Sequence, residues 1–287
     1  MVDPPGERAL SEQSERVASI PDGLDGALVL VRHGQSRLIE EGRFQGQLDS
    51  PLTPIGFAQA EAVGRRLAGR RIPPVLPVPA ATPVEIVHSP LSRTTSTAVE
   101  IARAMATAGP AAPTVTLRAE AGFMEIAQGE WEGLYSTEIA ARYADTLAAW
   151  RRRPWETVAP GGETLQAVAA RVGPALATTL ATLAHGQAAG TLDRSHVAGY
   201  DDAAPAHPWS VLVGHDGVFK IALLTLFDLP LERFWMWSMD LCGLTVVEFR
   251  AGRPVLRAHN LTDHLAAVGI TGPSDAAAPV TRLDGAL

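Results

Sequence analysis

A chain of 287 residues, 46% of them hydrophobic and 19% charged, is long enough to bury one full α/β core. Its net charge of −7 disfavours nucleic acid and anionic membrane as partners, because both require a basic face. A single cysteine, Cys242, excludes an internal disulfide, and no stretch approaches the roughly 20 uninterrupted apolar residues of a membrane span. The expected setting is a reducing, cytoplasmic one, with no targeting segment at the amino terminus.

In chain order, residues 1–25 are polar and acidic and read as a disordered leader. "LVLVR", from Leu28, is apolar at four successive positions and predicts a strand covered on both faces. It ends on Arg32 and His33 before breaking at Gly34. Thr53 can cap a helix with Pro54 at its first position, running to a stop near Gly69. "VEIVHS" is a second strand, after which Ser89 and Pro90 open a helix that carries Arg93 in its first turn. A small helical cap is expected over about 110–160, and an Ala-rich helix leads to an exposed insertion over about 185–208. "WSVLVGHDG" is a third strand delivering His215 into a turn, followed by the apolar helix "VFKIALLTLF". "LTVVEFRAGRPVLRAH" predicts a hairpin turning at Ala251 to Arg253, and residues 269–287 read as a flexible tail.

Strands alternating with helices imply a single domain over 26–268: three layers, a doubly wound and mostly parallel sheet with helices on both faces, and the cap. That topology places Arg32, His33, Arg93 and His215 on strand-to-helix loops at one sheet edge. Each alone has an ordinary structural explanation. Together, two forked arginines beside a helix amino terminus suit a tetrahedral dianion.

"VRHGQS", "FQGQLDSPLTPIGFAQA", "SPLSRTTSTA", "MEIAQGEWEG", "PGGET" and "VGHDG" resemble, in consistent order from about Leu28 to Leu265, the histidine phosphatase superfamily, also called phosphoglycerate-mutase-like. The resemblance implies a nucleophile at His33, a phosphate pocket of Arg32, Arg93 and His215, a proton donor at Glu125, and a contact from Gln45 to the transferred phosphoryl group. It implies a small phosphorylated substrate and no cofactor or metal, and leaves a homodimer open. In that chemistry a neutral imidazole attacks phosphorus, cations hold the charge of the transition state, and a carboxyl protonates the leaving oxygen. Phe123, Met124 and Ile126 flank Glu125 and favour its protonated form.

Two positions depart from the family pattern. Ile39 stands where an asparagine is common, which leaves one phosphate contact to Ser36 or Arg43. Asp216 follows His215, where a related branch uses aspartate as the proton donor. That branch's proline soon after Arg-His-Gly has no match here, so Glu125 ranks first and Asp216 is kept as a substrate-side residue. The run after Glu125 resembles phosphatase members, including broad-specificity, α-ribazole and sugar-phosphoglycerate phosphatases. The mutase pattern needs a lysine soon after it, and the first lysine in the chain is Lys220. Hydrolysis is therefore expected, with a cofactor-dependent phosphoglycerate mutase and a non-catalytic phosphate-binding scaffold as alternatives. Arg151 to Arg153 suit a helix carboxyl terminus. His185, His196 and His207 read as solvated loop residues, and Trp131, Trp150 and Trp155 as core or cap packing.

Overall fold

The computed structural model describes residues 20–79, 81–107, 115–189 and 207–268. Six strands lie among them: β1 (Gly26–Arg32), β2 (Glu85–His88), β3 (Thr116–Ala119), β4 (Trp209–Gly214), β5 (Leu244–Arg250) and β6 (Arg253–Leu261). They form one sheet in the order β3-β2-β4-β1-β5-β6. The first four neighbours pair in parallel, and β5 and β6 continue the sheet antiparallel.

The helices are α1 (Arg37–Glu40), α2 (Pro54–Ala68), α3 (Ser92–Ala106), α4 (Ser136–Arg142), α5 (Ala144–Arg152), α6 (Leu165–Ala189) and α7 (Asp216–Leu226). Strand β1 shows why the sheet needs a helical layer on each side. Successive side chains of a strand point to opposite faces. Leu28 and Leu30 join the core built with Val172 and Leu176 of α6 and Val218 and Ile221 of α7. Ala27, Val29 and Val31 join the core with Val63 of α2 and Ile101 of α3. A slip of one residue would exchange every one of these contacts, so burial on both faces fixes the register.

Local signals hold where they were strong. The Thr53 hydroxyl accepts from the Gly56 amide at 3.0 Å, with Pro54 at the first helical position. The hairpin turns at Ala251 and Gly252, both at positive φ. Four expectations need correction. Helix α3 starts at Ser92 with Leu91 as its amino-terminal cap, because the Ser89 side chain is drawn into a tertiary contact described below. Strand β3 falls inside the range expected for the cap, where β2 pairs with it at the sheet edge. The expected leader overruns the fold: Leu24 is buried, and its carbonyl accepts from the Gly252 amide at 2.8 Å. The expected insertion begins inside α6, where the His185 ring lies 2.7 Å from the Ala181 carbonyl. Its other end, Pro208, accepts from the Ala27 amide that opens β1. Residues 1–19, 190–206 with His196, and 269–287 lie outside the described residues.

Helix α6 is by length and composition long and apolar enough over Leu165–Gly186 to cross a membrane. Here its Leu165, Val168, Val172, Leu176, Leu180 and Leu183 are core residues. Helices α4 and α5 form the cap, tied to the body by edge-to-face contacts of Trp131 with Phe44 and Trp150. Trp150 in turn packs on Phe234 and Trp235.

Candidate active site

Three adjacent parallel strands, β2, β4 and β1, bring their carboxyl ends to one place, the edge of an α/β sheet where ligands bind. The ladder continues past the strands: the His33 amide donates to the Gly214 carbonyl at 3.0 Å, and the Ser89 amide to the Val213 carbonyl at 3.1 Å. Two histidines are thereby set side by side, with ring centroids of His33 and His215 5.1 Å apart, edge to face. Gly34 lets the loop after His33 lie close against α2, because a Cβ there would collide with the Gly56 carbonyl.

His33 Nδ1 lies 2.7 Å from the Gly34 carbonyl. A carbonyl only accepts, so Nδ1 carries the proton and the Nε2 lone pair is left free. Burial is the largest cause holding this ring's pKa well below the ordinary 6.5, with Arg93 and then Arg32 acting the same way. The ring is therefore neutral at neutral pH. His215 is likewise fully buried and held well below 6.5, first by burial and then by Arg93. Its Nε2 meets the Ser89 hydroxyl at 2.9 Å, while Nδ1 has no partner among the described residues.

The two arginines are clamped by backbone carbonyls. Arg32 Nη1 donates to Met239 at 2.6 Å. Arg93, with no exposed surface, donates Nη2 to Gly46 at 2.7 Å and Nη1 to Leu48 at 3.1 Å. Burial pushes Arg93 down to about 10, with Glu125 and Asp49 opposing, which leaves it a cation at neutral pH. The Nε atoms of both are buried without a partner among the described residues. Gly46 sits at positive φ and under the Glu132 carboxylate, so only glycine fits the loop that wraps Arg93.

Glu125 is 2% exposed. Its Oε1 accepts from the amides of Ile126 at 2.9 Å and Val218 at 3.0 Å, and its Oε2 from Gly217 at 3.2 Å. Burial pushes its pKa up, and Asp216 adds to that, while the Ile126 and Gly217 amides and Arg93 pull the other way. The raised direction matches the sequence expectation. The surroundings are more polar than expected, because the carboxyl caps the amino terminus of α7.

Ser36 and Gln45 are buried and bonded to each other, hydroxyl to Oε1, at 2.5 Å. Arg43 is held elsewhere: Nε to Glu41 at 2.8 Å, Nη1 to the Gly133 carbonyl at 2.6 Å, and its guanidinium 3.9 Å over the Tyr135 ring. The Asp216 carboxylate is bonded within its own helix. Its partner is Lys220, at 2.5 Å one turn along α7. Arg152 and Arg153 are exposed at the carboxyl end of α5, with Arg153 paired to Glu156 at 3.0 Å. His259 and His264 bond Thr245 and the Cys242 carbonyl.

The sequence reading gave no role to Ser89, Glu163 or Arg171. Arg171 donates to the carbonyls of Gly122, Met124 and Glu125 at 2.7–2.9 Å and forks onto Glu163, which also accepts from the Ala127 amide. This pair holds the loop that carries Glu125. A usable signal existed: Arg171 is the one Asp, Glu, Lys or Arg in the 25 residues of α6, and Glu163 belongs to "PGGET".

The profile of the histidine phosphatase superfamily (branch 1) matches residues 28–262. The chain belongs to that superfamily. Phosphoserine phosphatase 1 of Hydrogenobacter thermophilus is 26% identical over 241 residues, covering 83% of this chain and 93% of that protein. Glucosyl-3-phosphoglycerate phosphatase of Mycobacterium tuberculosis is 31% identical over 208 residues, covering 72% and 78%. Among solved structures, a mycobacterial glucosyl-3-phosphoglycerate phosphatase in complex with VO3 superposes with a TM-score of 0.63 at 26% identity, covering 83% of this chain and all of that one. With phosphatases of this superfamily as its relatives, the protein is a phosphoric monoester hydrolase of the phosphoglycerate-mutase-like fold.

Proposed function

We propose that this histidine phosphatase hydrolyses a small phosphorylated metabolite in two steps, with His33 as nucleophile and Glu125 as acid and then base. The observation that carries the assignment is the set of buried nitrogens without a partner among the described residues, Arg32 Nε, Arg93 Nε and His215 Nδ1, on three residues that act on or pack against an imidazole whose Nδ1 is tied to Gly34. With the Ser89 hydroxyl donating to Nε2, His215 presents an N–H at Nδ1. Three donors then face the oxygens of one phosphoryl group. The Ser36–Gln45 pair leaves the Gln45 amide nitrogen to donate as a fourth.

In the first step the His33 Nε2 lone pair bonds to phosphorus as the ester P–O bond breaks, and Arg32, Arg93 and His215 take up the charge on the phosphoryl oxygens. Glu125 Oε1 already accepts two amides and Oε2 only one, so the proton sits on Oε2 and passes to the leaving oxygen. In the second step water attacks phosphorus, its proton returns to Oε2, the P–N bond breaks, and inorganic phosphate leaves. A mutase would also require a lysine available to a second anionic group, whereas Lys220 is buried against Asp216.

The substrate reading draws on the relatives, whose names point to phosphate esters of small carboxylated molecules. Phosphate release from a panel of phosphorylated metabolites, with the His33→Ala protein as blank, tests it. Phosphoserine and glucosyl-3-phosphoglycerate belong in the panel, as does 3-phosphoglycerate with and without bisphosphoglycerate. Free phosphate from at least one member supports hydrolysis; isomerisation without net phosphate would overturn it.

A further inference from the structure

Two buried acids, Glu125 and Asp216, serve the start of α7. The amides that hold Glu125 belong to Gly217 and Val218, the two residues that follow Asp216, so one helical turn positions both acids. The pair is built asymmetrically. Among the described residues Glu125 has amide donors and no cation bonded to its carboxylate, whereas Asp216 has the ammonium of Lys220, the chain's only lysine. That ammonium is itself buried, beneath the rings of Trp235 and Phe234 at 4.8 and 5.3 Å. No step of the proposed reaction uses Lys220 or Asp216, yet burying an ion pair is costly and needs a reason other than stability.

We propose that Asp216 and Lys220 are positioning residues for Glu125: their ion pair fixes a carboxylate at the start of the helix whose amides hold Glu125, and that negative charge favours the form of Glu125 that protonates the leaving oxygen. The inference rests on Glu125 being the general acid. Where two carboxyls interact, one keeps its proton more readily than the other, and a cation bonded to one of them decides which. Other charged and titratable groups converge on the same place. Arg93 of α3 opposes the protonated form of Glu125 from the phosphate side, and Arg32 at the end of β1 acts in turn on Arg93. His33 and His215 are held neutral there. His259 of β6 faces Asp216 together with Asp240, and Arg171 of α6 reaches the backbone carbonyl of Glu125.

The test is the alkaline limb of kcat/KM with an alkyl phosphate, which falls as the general acid loses its proton. Asp216→Asn leaves Lys220 uncompensated and should move that limb to lower pH by about one unit, and Lys220→Met leaves the Asp216 anion uncompensated and should move it up by about one unit. The double variant Asp216→Asn/Lys220→Met, which buries no charge at either position, should lie between them. A structural role alone would lower kcat without opposite displacements. Limbs that stay in place, or that move the same way in both single variants, would overturn the proposal. Glu125→Gln separates the two levels of the argument. If it removes the alkaline limb while the Asp216 and Lys220 variants leave it unmoved, the acid assignment stands and this inference fails. If the limb survives in Glu125→Gln, the acid assignment itself is wrong.

Discussion

Replacing Glu125 by glutamine changes one atom and separates general acid catalysis from phosphate binding. In the native site Oε1 takes the Ile126 and Val218 amides and Oε2 takes Gly217. A glutamine can keep its oxygen on the first two, but then its NH₂ faces the Gly217 N–H, donor against donor. Leaving a buried donor unsatisfied costs about 1–3 kcal/mol, so the variant should fold with a reduced melting temperature. The kinetic loss is larger and depends on substrate. A positioned general acid contributes ~10²–10⁴-fold, which is about 2.7–5.4 kcal/mol of barrier. The whole of it should appear with an alkyl or sugar phosphate, whose leaving oxygen is strongly basic. With p-nitrophenyl phosphate the phosphorylation burst should persist, because that leaving group needs little help. Bursts rather than turnover must be compared, since the same carboxylate activates water in the second step. Asp216→Asn should show a smaller loss that varies little between substrates. A flat response in Glu125→Gln, with a steep dependence on leaving-group basicity in Asp216→Asn, would move the acid to Asp216 and refute the reasoning.

Three further outcomes follow from the same geometry. Rapid quenching with ³²P-labelled substrate should trap an acid-labile, base-stable phosphoprotein that is absent in His33→Ala; turnover retained in that variant would exclude His33 as nucleophile. Because burial, Arg93 and Arg32 lower the His33 pKa, the ring gains its proton only at pH well below 6.5. Nitrogen NMR of that ring should show it neutral at pH 6, with the midpoint moving up in Arg93→Met. Arg171→Met removes three bonds to the carbonyls beneath Glu125. It should lower kcat for alkyl phosphates roughly 10- to 100-fold while leaving KM within a few fold, by analogy with the loss of groups that only orient a reacting one; a change confined to KM would place Arg171 in substrate binding instead.

The elements legible from sequence were those whose cause is local. Residues 28–31 and 211–213 are unbroken apolar runs because both faces of β1 and β4 are covered. Thr53 and Pro54 carry their own cap, and Ala251–Gly252 their own turn. The motif residues His33, Arg93 and His215 were therefore placed at one sheet edge before any contact was known. Strand β3 was missed because its residues are mostly exposed, so "TLRA" has no apolar run and is a strand only by pairing with β2. The start of α3 was misplaced for the converse reason: Ser89 looks like a local cap but its hydroxyl reaches His215, 126 positions away. The same applies to the support of Glu125. Arg171 and Glu163 lie 46 and 38 residues further along the chain, and Arg171 converges on the Glu125 loop only because α6 packs against it. Lys220 and Asp216 are one turn apart in sequence, and a helical reading pairs them. That this pair is buried beside a second carboxyl, under Trp235 and Phe234, was decided by the packing of the segment 231–236 over α7. Sequence fixes which groups a local element can present, and long-range packing fixes which of them meet and in what dielectric, and so what their protons do.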